Sequence, residues 1–204
     1  MTVIYRNYFS NFVIPKEKAE LLDEYKVCYI DEATGLPKRI YTVLDGRVDW
    51  VEYYLEPGEN ETEIAKLYGE ELFCFILRGE QVKDFVVEHH RYYRDNKLSS
   101  VSDVVCDIYG NKICAQELDS ATLEPLFKET SKYFYRYDEY DEEWGSPRII
   151  KAGYKKDGSL DYLLYSPTPE NEQNDERYDS GSFKALQAQF SEDLSYYLTA
   201  RLLP

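Results

Sequence analysis

Apolar and polar residues alternate along much of this chain, and turn-forming pairs interrupt the alternation. The clearest case is 39–53, where Asp45-Gly46 separates two alternating runs. Both residues tolerate positive φ, so the pair predicts a two-residue hairpin turn. Such a turn would pair Leu44 with Arg47 and Tyr41 with Trp50. Tyr41, Val43, Val48 and Trp50 would then share one core-facing side. A second hairpin is predicted around Asp157-Gly158, with Tyr162 on its inner face. Strand-like sequence also covers 26–30, 72–77 and 82–93, the last two on either side of 78–81. Asp95-Asn96 and Gly110-Asn111 are further turns, giving a run of antiparallel strands through Ala115.

Helical patterns are fewer. Pro15 opens one over 15–24, with Ala19, Leu21, Leu22 and Tyr25 as apolar positions. Asn60 with Glu63 three residues on forms a capping box for a short helix that Gly69 ends. Ser120 caps a predicted helix in which Leu123, Leu126, Phe127 and Phe134 fall near one face. Residues 182–202 carry the stripe Phe183, Leu186, Phe190, Leu194, Tyr197 and Leu198, which predicts the longest helix. Residues 166–181 before it hold almost nothing to bury and read as a flexible loop. The expected fold is therefore α+β: an antiparallel, hairpin-rich meander of about six to ten strands with a few flanking helices. With 204 residues it is expected to form a single domain, 1–204.

One internal similarity stands out. Residues 45–53 and 157–165 share the pattern D-G-x-[V/L]-D-[W/Y]-[V/L]-x-Y. Two copies are too few for a repeat architecture; either a duplicated hairpin unit or, the preferred reading, common hairpin grammar accounts for them.

Charge narrows the functional classes. There are 39 acidic and 24 basic side chains, a net −15, spread over both halves. Such a surface repels phosphate and anionic lipid, so neither nucleic acid nor a membrane is an expected partner; a basic protein is. No apolar run approaches the ~20 residues that span a bilayer, and the amino terminus lacks the pattern of a signal peptide. Cys28, Cys74, Cys106 and Cys114 each sit among apolar, strand-like residues, as reduced core thiols do. The expected location is the cytoplasm.

Candidate chemistry is sparse. The two histidines, His89 and His90, are adjacent, so on a strand they point to opposite faces and cannot share a metal. Cys106 and Cys114 straddle a turn without zinc-ligand spacing. No nucleophile elbow, phosphate loop, dinucleotide fingerprint or calcium loop is present, and no cofactor is expected. The densest unusual segment is Tyr137, Asp138, Glu139, Tyr140, Asp141, Glu142, Glu143 and Trp144. Its carboxylates suit steering toward Lys and Arg, and its rings supply rigid contact area. The same composition also suits a solvated loop whose rings fold back on the core. The expected function is protein binding, as an inhibitor or immunity-type protein occluding a basic toxin or nuclease. The alternatives are a hydrolase using carboxylates or His89/His90 in a cleft, and a structural subunit of an assembly.

Overall fold

The computed structural model describes residues 1–8, 12–68, 72–108, 110–135, 148–166 and 175–204. Among them are thirteen strands and only short helices, an α+β fold rich in antiparallel hairpins. In chain order the elements are β1 (Thr2–Asn7), β2 (Val13–Ile14), α1 (Lys16–Ala19), β3 (Glu24–Ile30), β4 (Pro37–Leu44) and β5 (Arg47–Leu55). They continue with α2 (Glu61–Tyr68), β6 (Leu72–Val82), β7 (Phe85–Arg94), β8 (Lys97–Asp107) and β9 (Lys112–Leu118). The last are β10 (Pro125–Tyr135), β11 (Arg148–Tyr154), β12 (Leu160–Tyr165), β13 (Glu176–Tyr178), α3 (Phe183–Gln187) and a 3₁₀ helix, Leu194–Leu198. Two compact units result, residues 1–79 with 88–101, and residues 80–87 with 102–204.

In the first unit β5, β4, β3, β1 and β2 are successive neighbours, all antiparallel. β5 pairs in parallel with β6 and is joined to it through α2, because a parallel return needs a crossover. Asn60 starts α2 as its side chain accepts the N–H groups of Thr62 and Glu63 at 3.0 and 3.3 Å. The predicted terminator Gly69 lies outside the described residues. Ala65 seats α2 on Val51, Tyr53, Phe73, Phe75 and Tyr93, and Tyr41 and Tyr68 close the cluster. Each fully buried large side chain contributes about 1.5–3 kcal/mol of transfer free energy.

The Asp45-Gly46 hairpin forms with both turn residues at positive φ, and Leu44 pairs with Arg47. Tyr41, however, pairs with Val51, because Thr42 pairs with Trp50 and Val43 with Val48. Asp49 is thus an extra residue on β5, a bulge that shifts every later side chain to the other face. Val51 and Tyr53 line the core in place of Val48 and Trp50, and Trp50 packs half-buried against Tyr92.

The second unit runs β13-β12-β11-β10-β9, again antiparallel. Its hairpin repeats the same device. Gly153 pairs with Tyr162 and Tyr154 with Leu160, leaving Asp161 as the extra residue at the pattern position of Asp49. Leu163 is fully buried, as Val51 is at the matching position. The turns differ. Only Gly158 has positive φ here, and Lys155 closes the longer turn on Ser159 with a 2.9 Å backbone bond.

A second repeated element joins β3 to β4 and β9 to β10. Residues 31–37 read Asp-Glu-Ala-Thr-Gly-Leu-Pro, and 119–125 read Asp-Ser-Ala-Thr-Leu-Glu-Pro. Asp31 Oδ1 accepts the N–H groups of Ala33 and Thr34 at 2.8 and 2.9 Å, and Asp119 Oδ1 accepts those of Ala121 and Thr122 at 3.0 and 2.9 Å. The i+4 residue, Gly35 or Leu123, bonds back to the Asp carbonyl and has positive φ in both. Each unit thus holds this loop and, later along the chain, a hairpin with its bulge at the same pattern position.

Other expectations are corrected as well. Residues 120–134 are not helical: Asp119 organises a turn, and Pro125 opens a strand whose alternation buries Thr130 and Lys132. The first helix is a single turn, because Tyr25 is taken into β3 and Leu21 is 85% exposed. The β6–β7 turn falls at Lys83-Asp84, beyond 78–81. The carboxyl stripe buries Phe183, Leu186, Leu194 and Tyr197 as its spacing requires, but on two short helices. Asp193 interrupts it by capping Ser195, while Gln187 Oε1 accepts the N–H of Leu194. Within 166–181, residues 167–174 lie outside the description, and Glu176–Tyr178 pairs with β12.

Candidate functional site

The expected contact residues Tyr137, Asp138, Glu139, Tyr140, Asp141, Glu142, Glu143 and Trp144 lie outside the described residues. The histidines sit on β7, where strand alternation sends them to opposite faces. The His90 ring is held by its neighbours two residues away: Nε2 lies 3.1 Å from Glu88 Oε2, and Nδ1 lies 3.3 Å from the Tyr92 hydroxyl. Both ring nitrogens are engaged, and the side chain is 13% exposed. The arrangement orders a row of half-buried polar groups beside Trp50. Cys28, Cys106 and Cys114 are not joined in disulfides.

Among the described residues the most perturbed cationic group is Lys132, which no motif announced. It lies on β10 with no exposed surface. Its Nζ donates to the carbonyls of Tyr196 and Thr199 at 2.8 and 2.7 Å and sits 3.4 Å from the centre of the Tyr196 ring. The reason is at the carboxyl end of the 3₁₀ helix. The last carbonyls of any helix lack partners within it, and buried ones need donors from elsewhere. Lys132 serves two. The Tyr154 hydroxyl serves Tyr197 at 3.2 Å, and the Gln116 amide serves Ala200 at 2.8 Å. The Tyr196 hydroxyl serves Leu202 at 2.7 Å. Side chains from β9, β10 and β11 thereby clamp the final residues to the sheet.

Burial pulls the Lys132 amine down to about 7; the nearby Cys114 thiol works against this and Arg201 adds to it. Burial pushes the Cys114 thiol up, with Lys132 drawing it back, and also raises the hydroxyls of Tyr154, Tyr196 and Tyr197. The amine is enclosed on all sides and bonded to backbone, so its role is structural. The signal for it was the strand alternation Thr130–Lys132, masked by a competing helical spacing.

Behind this clamp opens a cavity of about 420 Å³, lined by Phe127, Asp157, Gly158, Leu198, Ala200 and Arg201 among others. The Ser159–Thr199 bridge and a 2.9 Å bond from Ala200 N–H to the Gly158 carbonyl join its two sides.

Fixed negative charge is the other organised feature. The N–H of Thr34 on Asp31 and of Thr122 on Asp119 hold those carboxyls below the usual range. The Ser159 hydroxyl does the same for Asp157, and the N–H groups of Ser182 and Ser195 do so for Asp179 and Asp193. These turn carboxylates are rigid and ionised at neutral pH.

No protein family matches this chain, and no curated protein or solved structure matches it. No helix among the described residues is long and apolar enough to cross a membrane.

Proposed function

We propose that this chain is a cytoplasmic binding protein for a basic protein, of the inhibitor or immunity type that occludes a toxin or nuclease surface. The observation that carries this reading is the net charge of −15, part of it fixed on ordered turns at Asp31, Asp119, Asp157, Asp179 and Asp193. Carboxylates bonded to local N–H or hydroxyl donors need no reordering when a cationic surface arrives. That favours fast, steered association. In this reading Tyr137, Tyr140 and Trp144 provide the contact area that holds the complex, and Asp138, Glu139, Asp141, Glu142 and Glu143 orient it.

The test is co-purification of the tagged chain from its native cytoplasm at low salt, with the partner identified and its binding measured. The reading expects a partner with a basic surface, bound stoichiometrically and released by salt. A partner that is acidic, or held equally well in high salt, would overturn it. Trp144→Ala should then speed dissociation by ten-fold or more if that ring is an interface anchor.

A further inference from the structure

The cavity beside the clamp has a lining unlike the rest of this acidic chain. Its volume, about 420 Å³, lies within the range of small-ligand sites. The Phe127 ring rests against Gly158, where an added Cβ would come within 3.2 Å of it, and Leu198 and Ala200 complete an apolar wall. Two charged side chains line the space, and they are not equally available. Asp157 Oδ1 already accepts the Ser159 N–H at 3.0 Å and the Ser159 hydroxyl at 2.6 Å. The Arg201 guanidinium faces the Tyr196 ring at 5.8 Å and lies near Asp193, whose carboxyl it helps hold down, without a close ion pair among the described residues. Lys155 and Lys156, both exposed, belong to the same turn as Asp157. Arg201 is thus the one cation among the residues that line the pocket, beside a carboxylate already engaged by Ser159.

We propose that this cavity binds an apolar group that ends in a carboxylate. The guanidinium fork of Arg201 pairs with the carboxylate, a geometry that a planar guanidinium matches with two parallel hydrogen bonds. Phe127, Leu198 and Ala200 form the open apolar wall against which the apolar part packs. Lys155, on the same turn, offsets part of the repulsion from Asp157. The chemistry can come from a small aromatic or aliphatic acid, or from the free carboxyl-terminal residue of a peptide with an apolar last side chain.

The experiment uses the full chain, isotope-labelled, with backbone amide shifts followed by NMR. Benzoate and its neutral counterpart benzamide are titrated separately. So is a pentapeptide ending in phenylalanine, in its free-acid and amidated forms. Benzoate should give saturable shifts at Gly158, Ser159 and Ala200. Benzamide should bind at least ten-fold more weakly, Arg201→Gln should weaken benzoate by a similar factor, and Arg201→Lys should restore part of it. A free-acid peptide that binds tighter than benzoate assigns the site to a chain terminus; the reverse order assigns it to a small acid. Equal binding of acid and amide, undiminished binding by Arg201→Gln, or no saturable shift at these amides would overturn the proposal. Arg201 is exposed, so these variants leave the fold in place.

Discussion

Lysine at position 132 gives the structure its most quantitative consequence. The perturbation is Lys132→Met, which keeps the stem in the core and removes the amine. The unfolded chain titrates this amine near 10.5, and the folded chain near 7. Between those values the unfolded state binds more protons, so wild-type stability must rise with pH across the window. Each pH unit well inside it is worth about 1.36 kcal/mol, and integrating from pH 7 to 8.5 yields roughly 1.6 kcal/mol. The Met variant lacks this slope. At pH 7 the variant loses donors to the Tyr196 and Thr199 carbonyls but no longer holds a desolvated charge, and these effects oppose each other. The assay is urea unfolding of both proteins at half-unit steps from pH 7 to 8.5. This range stays below the titration of Cys114, whose thiol burial raises above 9.0. Wild type should gain roughly 1.6 kcal/mol on the variant across the range. A difference that does not change with pH would refute the reasoning, because it would mean that the amine keeps its ordinary pKa when folded.

Three further substitutions test the local arguments. Leu123 holds positive φ where the matching loop has Gly35, and it is half exposed, so Leu123→Gly should stabilise by roughly 0.5–1 kcal/mol in thermal or urea unfolding. A Cβ on Gly153 would come within 2.5 Å of the Tyr162 ring, so Gly153→Ala should cost about 1–3 kcal/mol, partly recovered in the double variant with Tyr162→Ala. Asn60→Ala removes the cap of α2 and should cost about 1 kcal/mol, with faster amide exchange at Thr62 and Glu63.

Local grammar was legible and long-range packing was not. The Asp45-Gly46 turn, the Asn60 cap and the apolar stripe of the carboxyl segment follow from neighbouring residues alone. The bulges at Asp49 and Asp161 did not, since one extra residue leaves the alternation readable while reversing which side is buried. Leu123, Leu126, Phe127 and Phe134 match a helical face by spacing, yet Pro125 and the Asp119 turn commit that stretch to a strand. With β10 misread, Lys132 could not be placed, because its partners lie more than sixty residues along the chain. The loop repeat at 31–37 and 119–125 was available in the sequence: Asp, Ala, Thr and Pro recur at identical spacing. Its meaning depended on the shared hydrogen bonds.

The proposed role in binding a basic protein stands on electrostatic steering, and the association rate measures that directly. The co-purified partner would be mixed with wild type and with a variant carrying Asp138→Asn, Glu139→Gln, Asp141→Asn, Glu142→Gln and Glu143→Gln, at ionic strengths from about 0.02 to 0.5 M, where the screening length falls from roughly 20 to 4 Å. The account predicts a wild-type rate that drops by ten-fold or more over this range, and a variant that starts slower and falls less steeply. Rates that are independent of salt, and equal in the two proteins, would contradict it.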